Sequence, residues 1–168
     1  SSLETITVPR LVTELPALAF AGLTNLRNVR FAEDSKLTTF GKFTFQGCSS
    51  LETISIPASV ELPTFAFAGL YNLKTIEFAE GSQLTEIGFG AFIGCVKVTS
   101  LQIPAGVEKL AALAFAGLTN LRNVSFAEDS KLTTFGTFMF KGCSSLETIT
   151  VPRLVTELPA LAFAGLTN

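Results

Sequence analysis

Histidine and tryptophan are absent from this 168-residue sequence, and methionine and tyrosine occur once each. Without histidine the chain lacks the usual zinc ligands and an imidazole that could activate its many serine and threonine hydroxyls. No pair of lysines or carboxylates recurs at a catalytic spacing either. We therefore expect no catalytic residues, no metal and no cofactor, and we predict that the protein is not an enzyme.

The sequence also lacks a strong charge of one sign and a long apolar run. Its 12 basic and 14 acidic residues are scattered and give a net charge of -2, so no basic stripe is present to bind nucleic acid. Apolar stretches such as LPALAFAGL, at 15–23, are much shorter than the roughly 20 residues of a membrane-spanning helix. We expect neither nucleic-acid binding nor membrane insertion.

Phenylalanine, in contrast, is abundant, with 16 copies, and the phrase F-x-G-(L/C) recurs along the whole chain. Aligning this phrase divides the chain into seven repeats of 22 to 25 residues, in which shorter and longer repeats alternate. We number them coils 1 to 7, with the bounds 3–25, 26–50, 51–72, 73–97, 98–120, 121–145 and 146–168. The sequence predicts a single solenoid, uncapped at both ends.

Each repeat contains the same order of short elements. It opens with L-x-x-(I/V/L)-x-(I/V/F), whose period of two and β-branched residues predict a short strand. Proline, or a polar loop such as AEDSK, ends the strand. The following A-F-x-G-(L/C) predicts a 3₁₀ or single-turn helical segment, with glycine in a tight turn. Because one coil buries too little apolar area to be stable alone, the coils must stack and join their strands in one parallel sheet.

Stacking gives recurring residues shared positions inside the solenoid. One phenylalanine per coil should form a continuous spine, namely Phe20, Phe45, Phe67, Phe92, Phe115, Phe140 and Phe163. Cys48, Cys95 and Cys143 stand where the other coils have leucine, so we predict buried thiols. They are two coils apart, about 9.6 Å by strand spacing, which is too far for a disulfide.

The motifs L-x-x-I-x-I-P, V-x-x-L and A-F-x-G-C resemble the BspA-like, or Treponema-type, leucine-rich repeats. In coil 1 the matching residues are Leu3, Ile6, Val8, Pro9, Val12, Leu15, Ala19, Phe20 and Gly22. The resemblance covers essentially the whole chain and implies a right-handed leucine-rich-repeat solenoid with a parallel sheet on one face. It further implies a cell-surface or secreted adhesin that binds a host matrix or cell-surface protein.

The outward positions of the predicted sheet are the candidate ligand face. Directly after each opening residue, neighbouring coils alternate in charge except at Thr99: Glu4, Arg27, Glu52, Lys74, Thr99, Arg122 and Glu147. This row predicts a ladder of weak ion pairs that helps to set the order of the coils. We expect a protein ligand on Arg27, Asn28, Arg30, Thr53, Lys74, Glu77, Gln102, Arg122 and Asn123. A merely solvated polar face is the alternative interpretation.

The two terminal coils suggest a second hypothesis. Residues 1–25 and 144–168 are identical, and neither terminal coil carries the polar substitutions expected of a cap. The candidate end-to-end contact residues are Leu3, Ile6, Val8, Phe20, Ile149, Val151, Leu161 and Phe163. A structural or engineered repeat protein that self-assembles through its ends is therefore the alternative to a segment of a surface adhesin.

Overall fold

Seven short parallel strands form the main face of the solenoid in the computed structural model, which describes residues 2–166. They are β1 (Thr5–Val8), β3 (Asn28–Phe31), β5 (Thr53–Ile56), β6 (Thr75–Phe78), β8 (Ser100–Ile103), β10 (Asn123–Phe126) and β12 (Thr148–Ile149). The paired residues Thr5↔Asn28, Asn28↔Thr53 and Thr53↔Thr75 occupy the same position in successive coils. The strand register thus equals the repeat length.

Hydrogen bonding divides the main face into two blocks. The order β1-β3-β5-β6 forms one sheet and β12-β10-β8 forms another. No ladder joins β6 to β8 within residues 2–166, although these strands belong to neighbouring coils. The prediction of one continuous sheet is therefore wrong at the junction of coils 4 and 5.

A second face carries shorter strands that the sequence interpretation did not identify. They are β2 (Glu14–Leu15), β4 (Thr39–Phe40), β7 (Glu86–Ile87), β9 (Lys109–Leu110) and β11 (Thr134–Phe135). The isolated bridges Thr39↔Glu61 and Leu62↔Ile87 connect β4 to β7 through coil 3. The expectation of a single sheet face is therefore wrong. The sequence did not reveal the second face because a strand of two residues is too short to produce a recognisable alternation of apolar and polar residues.

The predicted 3₁₀ or single-turn helical segments do not form within residues 2–166, where this part of each coil is a series of turns. The reason is a pair of left-handed residues that bounds each segment: one directly precedes it, such as Leu18 at φ 62° or Phe43 at φ 55°, and the other is the motif glycine. A residue in this conformation cannot continue a right-handed helix. The glycine of the motif does adopt the predicted positive φ, as at Gly22 (76°) and Gly165 (80°).

The predicted phenylalanine spine runs through the core. Successive spine rings have centroids 5.2 to 5.9 Å apart. Five of the six successive pairs lie within 10° to 17° of parallel, and the Phe20–Phe45 pair is tilted by 43°. The five inner rings are buried, whereas Phe20 and Phe163 in the terminal coils are half-buried. The core is thus one column of side chains shared by all coils.

The three cysteines lie beside this spine as free, buried thiols, as predicted. Each thiol donates a hydrogen bond to the carbonyl of a spine phenylalanine in the preceding coil. The Sγ–O distances are 3.1 Å for Cys48 to Phe20, 3.3 Å for Cys95 to Phe67 and 3.2 Å for Cys143 to Phe115. Burial raises the pKa of Cys95 to about 12 and that of Cys48 and Cys143 to about 11.

Candidate functional site

The predicted ligand face lies on the outward side of the main strands. Asn28, Thr53 and Asn123 are the first residues of β3, β5 and β10, where alternation along the strand directs them away from the core. Thr53 is half-buried, and the other eight residues are exposed: Arg27, Asn28, Arg30, Lys74, Glu77, Gln102, Arg122 and Asn123. The break between β6 and β8 separates Gln102, Arg122 and Asn123 from the rest.

Ion pairing on this face centres on Glu52. Its two carboxylate oxygens lie 3.7 Å from Arg27 Nη1 and 2.8 Å from Lys74 Nζ. The hydrogen bond from Lys74, together with the charges of Lys74 and Arg27, holds the pKa of Glu52 below its usual value. Among the described residues, neither Glu4 nor Glu147 forms an ion pair in this row. The predicted ladder thus forms around one carboxylate.

A groove opens on the main face at Thr99, where the row of alternating charges is interrupted. It has a volume of about 760 Å³ and is lined by Lys74, Lys97 and Arg122 together with hydroxyl and amide side chains. We call it the cationic groove. The sequence interpretation missed Lys97, although a signal was present. The residue before the opening position is Asn25, Ser50, Asn72, Asn120 or Ser145 at the other repeat boundaries, and lysine is the one charged residue in that column.

A second groove, of about 730 Å³, lies on the second face along β7, β9 and β11. Its lining includes Phe89, Thr134 and the Glu86–Lys109 ion pair, whose Oε1–Nζ distance is 2.9 Å. The sequence interpretation assigned no role to this surface. The signal was glycine directly after a second-face strand. A Cβ on Gly136 would lie 2.3 Å from backbone atoms of coil 5, so the coils approach too closely there for any side chain.

The candidate end-to-end residues differ in how much surface they offer. Leu3 and Leu161 are 44% and 57% exposed. Ile6, Phe20, Ile149, Val151 and Phe163 are half-buried. Val8 is 3% exposed and therefore contributes almost no surface. The remaining seven residues give each terminal coil an apolar side that is partly open to solvent.

Two further findings concern residues 2–166. No group of three or more cysteine and carboxylate side chains is arranged to hold a metal ion in this part of the chain. The same residues contain no helix of the length and apolarity needed to cross a bilayer.

Solved structures with the same architecture are bacterial repeat proteins. A leucine-rich repeat protein from Eubacterium ventriosum superimposes with a TM-score of 0.84 at 25% identity, covering 96% of this chain and 42% of its own. The T. pallidum leucine-rich repeat protein has a TM-score of 0.63 at 22% identity, covering 85% of this chain and 78% of its own. The pneumococcal vaccine antigen PcpA has a TM-score of 0.59 at 22% identity, covering 97% and 54%. This chain thus spans less than half the length of its Eubacterium relative.

No curated protein matches the sequence of the chain. The sequence pattern of the BspA type leucine rich repeat region, however, matches residues 1–83 and 38–168 in six copies, one fewer than the seven coils counted by sequence. The two matches together cover the whole chain, and both the repeat motifs and the strand register agree with them. The chain belongs to the BspA-type leucine-rich repeat family.

Proposed function

We propose that this chain is a non-catalytic, protein-binding segment of a BspA-like surface adhesin, located at the cell surface or secreted, and that it recognises its ligand on the main strand face. The observation that carries the proposal is the polar strand face, where a charged side chain stands at one position in six of the seven coils and a hydroxyl or amide side chain stands at the next position in every coil. Such a flat array can contact an extended protein surface through many polar groups at once. The description of PcpA as a vaccine antigen supports a location exposed at the surface.

A binding assay with a charge-reversed variant tests this proposal. The wild-type chain would be immobilised and exposed to a panel of extracellular-matrix proteins, followed by the variant Arg27→Glu/Lys74→Glu/Arg122→Glu. We expect the variant to lose affinity by about ten-fold or more, because each reversal replaces an attractive contact with a repulsive one.

The matched control is Lys36→Glu/Lys131→Glu, which changes two exposed lysines in the loops that follow main-face strands. This control should bind as the wild type does, and circular dichroism should show the same fold in all three proteins. Equal loss of binding in both variants, or the absence of binding to every matrix protein, would contradict the proposal.

Self-association through the terminal coils is a second candidate function. Among residues 2–166, eight large apolar side chains are exposed, and six of them belong to coils 1 and 7: Leu3, Leu11, Leu18, Leu154, Leu158 and Leu161. Contact between coil 7 of one molecule and coil 1 of the next would bury this surface. It would also bring Glu147 beside Glu4, so the association should strengthen as salt screens their repulsion.

Sedimentation velocity over a dilution series distinguishes the two candidates. Self-association predicts a sedimentation coefficient that rises with protein concentration and with salt. Leu161→Glu/Phe163→Glu should abolish the rise, whereas Arg27→Glu on the strand face should preserve it. A monomer at all concentrations would refute end-to-end assembly.

A further inference from the structure

The cationic groove lies where coils 4 and 5 are joined on one side of the solenoid and open on the other. On the second face, β7 pairs with β9 across this junction. In the turn segments, Phe92 N donates to Ala114 O at 2.9 Å and Gly94 N to Ala116 O at 2.8 Å. On the main face, no ladder joins β6 to β8 in the described part of the chain. The groove is therefore an opening in the strand face above a continuous core.

Positive charge is concentrated in this opening. Lys74, Lys97 and Arg122 line the groove and no acidic residue lines it, although Lys74 also contacts Glu52 at 2.8 Å beside the groove. Lys97 donates to the Asn72 side-chain oxygen, a neutral partner. Arg122 forms no ion pair among residues 2–166. Cations held near one another raise each other's electrostatic energy, and an anion between them lowers it.

The chain itself shows how a carboxylate fits such a position. In coils 2 to 4, Glu52 lies between Arg27 and Lys74 and contacts both. In coils 4 to 6, the same row reads Lys74, Thr99 and Arg122, so threonine stands where the alternation requires an acid. The outer residues are again two coils apart. An external carboxylate above Thr99 would repeat the arrangement around Glu52.

We propose that the cationic groove binds a short acidic segment of a partner protein, with one aspartate or glutamate carboxylate held between Lys74 and Arg122 and within reach of Lys97. This inference rests on the proposed protein-binding function and assigns the chemistry of the ligand. The hydroxyl and amide groups of Thr75, Asn120 and Asn123, which also line the groove, can hydrogen-bond to the peptide groups of the segment.

The surroundings of the groove favour a short segment over a long polyanion. Glu52 lies on one side of it in the same row and Glu147 on the other, and the net charge of the chain is -2. A long sulfated polysaccharide extending beyond the groove along this row would meet these carboxylates, which repel it. A peptide with a few adjacent acidic residues matches the extent of the positive charge.

The test uses a blocked, fluorescently labelled hexaglutamate peptide and a hexaglutamine peptide as its neutral match, with binding followed by fluorescence anisotropy at low salt. Thr99→Glu supplies an internal carboxylate at the proposed site, and Thr99→Gln is the uncharged control of the same shape. Thr99 is exposed, so both variants should fold. We expect wild type and Thr99→Gln to bind hexaglutamate but not hexaglutamine, and Thr99→Glu to lose affinity by about ten-fold or more.

A charge reversal at Lys97 provides an independent test. Lys97→Glu should weaken hexaglutamate binding, while Lys131→Glu, an exposed lysine of coil 6 outside the groove, should leave it unchanged. Equal affinity of Thr99→Glu and Thr99→Gln would overturn the proposal. So would binding of a heparin oligosaccharide in the groove by a chain that does not bind hexaglutamate.

The outcomes also separate this inference from the proposed function. If matrix proteins bind the wild type and Thr99→Glu equally well, the strand face binds protein and the groove assignment is wrong. If hexaglutamate binds in the groove while no matrix protein binds the chain, the groove assignment stands and the adhesin proposal fails.

Discussion

Removing one ring from the middle of the phenylalanine spine should destabilise the solenoid far more than removing one at its end. Phe92 is fully buried, and its centroid lies 5.2 Å from that of Phe67 and 5.9 Å from that of Phe115, with both pairs nearly parallel. Truncating a buried phenylalanine to alanine costs about 3–5 kcal/mol through lost burial and the cavity that remains. We expect Phe92→Ala to lower the free energy of unfolding by about 4 kcal/mol.

The matched control is Phe163→Ala, at the same motif position in coil 7. Phe163 is half-buried and stacks on one spine neighbour, Phe140, at 5.9 Å. Its truncation should cost about 1–2 kcal/mol, since less area is buried and the surroundings can collapse into the space. Phe92→Leu retains most of the volume and loses two ring contacts, so we expect an intermediate loss of about 1–3 kcal/mol.

Urea unfolding followed by circular dichroism would measure these differences. Fluorescence of Tyr71, the single tyrosine in a chain without tryptophan, would report on coil 3 separately. A stability of roughly 0.05–0.15 kcal/mol per residue means that a loss of about 4 kcal/mol is a large part of the total. The reasoning is refuted if Phe163→Ala proves as costly as Phe92→Ala, because stability would then not depend on two-sided stacking.

Three further predictions concern a backbone contact, a thiol and a carboxylate. Gly136→Ala should destabilise the fold by about 2–3 kcal/mol in urea unfolding, since its Cβ would lie 2.3 Å from backbone atoms of coil 5. Gly22→Ala should cost about 1 kcal/mol, because a Cβ there meets open space and only the positive φ of 76° opposes it. Equal costs of the two substitutions would contradict this reasoning. Burial raises the pKa of Cys95 from 9.0 to about 12, so the folded protein retains a thiol proton that the unfolded chain loses, and stability should fall as pH rises from 9.0 toward 12. Cys95→Ala should reduce that fall, and an Ellman assay at pH 8 should detect the thiols only after denaturation. Lys74 holds the pKa of Glu52 below its usual 4.5, so this pair adds stability above pH 4.5 that is lost as pH decreases through the lowered value. Glu52→Gln should therefore lose less stability in acid than wild type, and Lys74→Met should raise the pKa of Glu52 in an NMR titration.

The sequence predicts the fold best where one residue type recurs in every coil. The phenylalanine column and the repeat lengths correctly predict the spine and the strand register, because stacked coils place equivalent residues side by side. Local geometry is less predictable. Leu18 and Phe43 adopt left-handed conformations that bulky residues rarely take, so their side chains give no hint of the turns they form.

The candidate site follows a similar division. Asn28 and Arg30 lie on the outward side of β3 because strand alternation determines the direction of each side chain. The separation of that face between β6 and β8 depends on backbone geometry over several coils, which no single repeat records. The absence of an acid at Thr99 was visible in the alternating row, but the opening beneath it was not.

The cysteine hydrogen bonds divide the solenoid into pairs of coils. Coil 2 is bonded to coil 1 through Cys48, coil 4 to coil 3 through Cys95, and coil 6 to coil 5 through Cys143. The junctions without a thiol hydrogen bond have leucine at the thiol position, and one of them, between coils 4 and 5, is where the backbone ladder of the main face stops. Duplication or deletion of a pair of coils, roughly 48 residues, leaves the alternation of shorter and longer coils unchanged. A pair is therefore the smallest piece that recombination can add or remove without placing two coils of the same type side by side. Growth or shortening of such a chain over evolutionary time should proceed in steps of two coils. Each added pair would bring one more hydrogen bond from a buried thiol and one more junction at which a groove can open.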